Sequence, residues 1–206
     1  ALEKLVGSLA ERRGVRSMVR GRSKAKGLAF LVVVGALGNV LGGLSIYLAN
    51  TGPIGLDLSH LATFMAAVYG GPALGLYAGA LVGIFPGIYF GFIGGSLGFL
   101  GLLGLPLGKA LTGFTAGWLV RALRVSNPGG RSVLLVPSLL MGYVPECVFT
   151  VLFFLGLIPF FLGWSSIPML VAILTKAWVE IAILSFIMLA FMRNRSFTRY
   201  VKSAMS

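Results

Sequence analysis

Six stretches of the chain are almost wholly apolar, and glycine, proline or charged residues separate them. The first, 28–49, is long enough at about 1.5 Å per helical residue to cross a hydrocarbon layer of about 30 Å. Asn50-Thr51-Gly52-Pro53 breaks it, and a shorter run covers 55–70. Runs at 72–93, 99–120, 133–157 and 167–192 follow. The separators are Gly94-Gly95-Ser96, then Arg121 with the turn Ser126-Asn127-Pro128-Gly129-Gly130, then a loop with Trp164, an interface anchor by type. Runs of this length predict membrane-spanning helices. The second is the weakest, because it contains Asp57 and His60.

Charge placement sets the topology. Residues 1–27 hold Lys4, Arg12, Arg13, Arg16, Arg20, Arg22, Lys24 and Lys26 against Glu3 and Glu11. Two further basic clusters are Arg121, Arg124 and Arg131, and Arg193, Arg195, Arg199 and Lys202. The positive-inside rule places all three clusters in the cytoplasm, which requires an even number of crossings between them. Counting 55–70 as a crossing satisfies this; omitting it puts a basic cluster outside. The expectation is an all-α integral membrane protein with six transmembrane helices and both termini cytoplasmic, located in the plasma membrane. Its parts are a basic N-terminal segment, 1–27, a membrane domain, 28–192, and a basic tail, 193–206. Leu2, Leu5, Val6 and Leu9 recur at helical spacing in the first segment, as an in-plane amphipathic helix does, although a solvated basic tail is the alternative.

Composition agrees and removes other classes. Of 206 residues, 57% are hydrophobic and 11% charged, against about 25% charged in soluble domains. The net charge of +12 is concentrated beside apolar runs, as expected for contact with anionic lipid and not for nucleic-acid binding. One cysteine, Cys147, allows no internal disulfide, and one histidine, His60, makes a zinc site implausible. Gly94-Gly95-Ser96-Leu97-Gly98 fits a hydrolase nucleophile elbow, but that elbow needs a strand and a histidine after the serine. No P-loop occurs. The chain is therefore read as a non-enzyme without metal or cofactor.

From Gly71 to Gly95 a glycine recurs every fourth residue, interrupted in its hydrogen bonding by Pro86, so a kink is expected near 82–86. Small residues at this spacing let helices approach closely in lipid. Gly38 and Gly42 repeat the spacing on the first helix, where the face serves either internal packing or a partner subunit. The ionisable residues left within the runs are Asp57, Lys109, Glu146, Lys176 and Glu180, with His60. Each charge costs at least about 2.5 kcal/mol at mid-membrane and so marks a functional site or a compensating ion-pair network. Lys176 and Glu180 share a helix face. Lys109 and Glu146 would meet across the fourth and fifth helices, with Asp57 near the mouth of a pocket. His60 is either interfacial or part of that pocket.

The segments Gly35-Ala36-Leu37-Gly38-Asn39-Val40-Leu41-Gly42-Gly43, Leu56-Asp57-Leu58-Ser59 and Gly70-Gly71-Pro72-Ala73-Leu74-Gly75-Leu76-Tyr77-Ala78-Gly79 resemble those of substrate-binding S-components of energy-coupling factor vitamin transporters. The resemblance covers 28–192. It implies a high-affinity site for a small molecule such as a B-type vitamin, with contacts from the fourth to sixth helices and a lid between the first two. Lys109, Glu146, Lys176 and Glu180, found above from charge alone, lie on those helices, so with Asp57 and His60 they are the candidate substrate-binding residues. It also implies a transmembrane coupling subunit with separate ATPase subunits. That family docks through an AxxxA-like motif on helix one; this sequence departs from it, and Gly38-xxx-Gly42 and Ala36-xxx-Val40 are the nearest matches. A structural subunit of another assembly and a solitary carrier are the alternatives.

Overall fold

The computed structural model describes residues 2–51, 56–95, 97–125, 132–164 and 167–205, with residues 2–24 described as backbone alone. Helix α1 is Leu2–Thr51, and α2, Ser59–Met65, continues into a π turn, Ala66–Gly70. Next come α3, Pro72–Val82, and α4, Ile84–Ile88, extended by the π turn Tyr89–Ile93. Helix α5 is Phe99–Ala122. A short 3-10 turn precedes α6, Leu135–Leu152, which runs through the π turn Phe153–Leu157 into α7, Ile158–Leu162. Helices α8, Ile167–Arg193, and α9, Arg195–Met205, complete the chain.

Five helical segments are long and apolar enough to cross a membrane: Ala25–Thr51, Pro72–Ile93, Phe99–Ala122, Ser132–Leu162 and Ile167–Arg193. This is the signature of a multi-pass membrane protein. The second apolar run differs from expectation. Its helix starts only at Ser59, and seven α-helical residues plus a five-residue π turn reach about 18 Å. It starts in the middle of the bundle and ends beside Arg121 and Thr198, which contact Gly70 and Tyr69. The basic segment before Lys26 is helical and continuous with the first span. The side chains of its Leu2, Leu5, Val6 and Leu9 face, like Arg131 and the 126–130 turn, lie outside the described residues.

The glycine stripe of α3 and α4 is spent on α5. A Cβ on Gly75 would overlap the Gly113 carbonyl, one on Gly79 the Lys109 carbonyl, and one on Gly83 the Pro106 backbone. Backbone therefore rests on backbone along this crossing, and Gly113 and Gly117 return the contact from α5. The same close approach fixes the height of Lys109. Gly38 and Gly42 also pack within the chain. A Cβ on Gly38 would overlap the Val82 side chain and meet Ala62 Cβ at 3.1 Å; one on Gly42 would meet the Pro86 ring at 3.4 Å and Ser59 Cβ at 3.6 Å. The groove expected for a coupling subunit is thus filled by α2, α3 and α4. The opposite side of α1, with Val32, Val33, Val40 and Tyr47, is exposed.

The expected kink occurs at Gly83, between α3 and α4, and Asn39 of α1 repairs its backbone. The Asn39 amide nitrogen donates to the Leu81 carbonyl at 2.8 Å, and its Oδ1 accepts from the Phe85 N–H at 2.8 Å. In an unbroken helix these two groups would bond each other. Asn39→Leu is expected to strand both in apolar surroundings and to cost about 1–3 kcal/mol, read as a lower melting temperature in detergent. An unchanged melting temperature would contradict this role.

Candidate functional site: a charged centre in the bundle

The site begins where α2 begins. Asp57 Oδ1 accepts from the Ser59 N–H at 3.0 Å and from the Ser59 hydroxyl at 2.5 Å, so the side chain closes a local turn before the first helical residue. The Leu58 N–H donates to the Ser45 hydroxyl at 2.9 Å, which fastens this turn to α1. A helix starting at mid-bundle leaves its first N–H groups without intrahelical partners. Asp57 and its neighbours supply some of those bonds.

Lys109 enters from α5 and is 3% exposed. Its ammonium donates to Asp57 Oδ2 at 2.7 Å and to the Ser59 hydroxyl at 2.7 Å, and it lies 3.1 Å from His60 Nδ1. An ammonium has three hydrogens and no acceptor, so these three contacts use all of them and make Nδ1 an acceptor. That assigns the hydrogen of a neutral imidazole to Nε2, which donates to Glu146 Oε2 of α6 at 3.2 Å. The Thr112 hydroxyl, one turn beyond Lys109, donates to the same oxygen at 2.5 Å. From α8, Glu180 Oε1 accepts the Asp57 N–H at 2.7 Å and lies 3.6 Å from Lys176 Nζ.

Asp57, His60, Lys109, Glu146, Lys176 and Glu180 therefore form one connected set, from the α2 start, α5, α6 and α8. One expected detail changes: Lys109 pairs with Asp57 and not with Glu146, because the His60 ring lies between the ammonium and the Glu146 carboxylate. Asp57 joins the set with its side chain 31% exposed. His60 is 6% exposed, with Tyr143 edge-on at 6.3 Å between ring centroids, so it is not interfacial. Trp178 packs edge-on against Tyr143 at 5.2 Å. Ser59 and Thr112 were not foreseen. Each has a sequence signal: Ser59 lies two residues after an aspartate at a helix start, and Thr112 is three residues from Lys109 on one face.

With His60 neutral, three carboxylates face two ammonium groups, leaving one negative charge in excess. The set is closed at Lys109 and His60 and open at Asp57 and Lys176, whose side chains are 31% and 53% exposed. Its open edge thus presents one acid and one base, and the excess acid favours a partner with a basic or strongly donating group. No protein-family model, curated protein or solved structure matches this chain.

Proposed function

We propose that the chain is the solute-binding subunit of a membrane uptake system, and that the charged centre is its solute site. In this reading the chain crosses the plasma membrane six times. Residues 56–58 lead into α2 from the outer side, and α2 completes the second crossing to the cytoplasmic side, where the basic clusters and both termini lie. A half-length helix starting at a polar site in mid-bundle is the arrangement that membrane transporters use to offer backbone and side-chain groups to a solute. The solute is a small, vitamin-like molecule with a basic nitrogen, which meets Asp57, and an acceptor group, which meets Lys176. Energy comes from a coupling subunit and separate ATPases, as in the S-component family that the sequence resembles.

The convergence of six ionisable side chains from four elements supports this reading. Helices held together by packing alone do not require charges, whose insertion cost is at least about 2.5 kcal/mol each at mid-membrane. A second reading has its own support: each of the six already has a partner, as in an ion-pair network that only fixes helix packing in a scaffold subunit. Lys176→Met separates them, since Lys176 is half exposed and its pair with Glu180 is long. Against a panel of water-soluble vitamins and heterocyclic amines, one compound is expected to raise the melting temperature of the native protein. Lys176→Met should weaken that compound at least tenfold, about 1.4 kcal/mol, while shifting the unliganded melting temperature little. Unaltered affinity in the variant would favour the scaffold.

A further inference from the structure

A second polar site lies at the end of the bundle that carries the basic residues. Between the α2–α3 turn, the end of α5 and α9 is a cleft of about 240 Å³, walled by Arg121, Arg124 and Lys202 and floored by backbone at Gly71 and Gly117. The cations are held there by specific features. Gly71 has φ +83°, and a Cβ on it would overlap the Arg121 guanidinium, so glycine lets that group lie directly on the turn. Arg121 Nη2 reaches the Gly70 carbonyl only at 3.4 Å, leaving most of its donors free for another acceptor. Lys202 is carried by α9, which is fastened by the Tyr69–Thr198 hydroxyl pair at 3.1 Å, by Phe197 against Tyr69, and by buried Val201.

The electrostatics are one-sided. The carboxylates with described side chains, Asp57, Glu146 and Glu180, all belong to the charged centre. Among the described residues, no acid therefore neutralises Arg121, Arg124 or Lys202. Three cations around one concave volume, with no acid beside them among the described residues, call for an anion, and guanidinium forks match the spaced oxygens of a phosphate. The cleft sits where a span ends, beside α9, whose Arg195, Arg199 and Lys202 alternate with Phe197, Tyr200 and Val201, a sequence suited to the headgroup level. We infer that this cleft binds a phosphate group, presented by the headgroup of an anionic phospholipid. This site is separate from the charged centre and stands whether or not that centre binds solute.

Native mass spectrometry of the full chain in neutral detergent tests the assignment, with phosphatidylglycerol, phosphatidylcholine and inorganic phosphate as probes. One phosphatidylglycerol per chain should bind with clear preference over phosphatidylcholine. Arg121→Gln and Lys202→Gln should each weaken it at least tenfold. Arg193→Gln, which removes the same charge from the same end but outside the cleft, should change it less than twofold. Melting temperatures report whether each variant is folded, and Lys202, exposed on α9, keeps the test valid should Arg121→Gln misfold. Inorganic phosphate binding as tightly as the lipid would keep the phosphate site and overturn its lipid source. Equal binding of the two lipids without phosphate binding, or equal losses in Arg193→Gln and the cleft variants, would overturn the site itself.

Discussion

Lys109→Met is expected to destabilise the protein by about 3–5 kcal/mol, the range for breaking a buried charge pair from one side. The ammonium satisfies Asp57, Ser59 and His60 together. Without it, the Asp57 carboxylate keeps only the Ser59 donors and lies near the Glu180 carboxylate, with no lysine ammonium among its first contacts. Methionine fills the volume but donates nothing. Pairing the substitution with Asp57→Asn should recover part of the loss, because the uncompensated charge is then gone. Residues in direct contact couple in this way, typically by about 0.5–3 kcal/mol. Unfolding of the two single variants and the double variant in mild detergent measures it. Strict additivity would mean that Lys109 and Asp57 do not stabilise each other.

Gly75→Val is expected to be at least as damaging, for a reason unrelated to charge. A Cβ at Gly75 would overlap the Gly113 carbonyl, and backbone cannot rotate away as a side chain can. The α3 and α5 helices must then separate. In lipid no hydrophobic effect rewards a looser contact, so the dispersion energy of the whole crossing declines with distance. Lys109 and Thr112 lie on α5 beside this contact, so the charged centre would be displaced as well. The expected result is loss of monodisperse protein after extraction. Gly156→Val is the control, since a Cβ there meets nothing within 4 Å; equal behaviour of the two variants would contradict the account.

The apolar runs indicated most of this architecture. The runs at 72–93, 99–120 and 167–192 end within a few residues of the observed helices, because glycine, proline and arginine mark their limits. Pro86 foretold the break at Gly83, and the four-residue glycine spacing foretold a close crossing. Hydropathy did not show that 56–58 is non-helical, since Leu56 and Leu58 are as apolar as helical residues; the side chain of Asp57, turned back on the Ser59 backbone, decides it. Helical spacing likewise paired Lys176 with Glu180, a local relation. The partner of Lys109 depends on where the start of α2 places Asp57 and His60 against α5, a tertiary fact. Nor does a small-residue face on α1 say whether its neighbour belongs to the same chain; Val82 and Pro86 answer that.

The claim that the charged centre holds a solute is tested most directly by what the purified protein carries with it. Native and Lys176→Met proteins, extracted in mild detergent and matched for amount and folded fraction, can be denatured and the released small molecules weighed by mass spectrometry. The account predicts one small basic heterocycle, near one per chain, from the native protein and at least tenfold less from Lys176→Met. Equal release from both proteins, or a folded native protein that releases none and binds none of the vitamin panel, would contradict it.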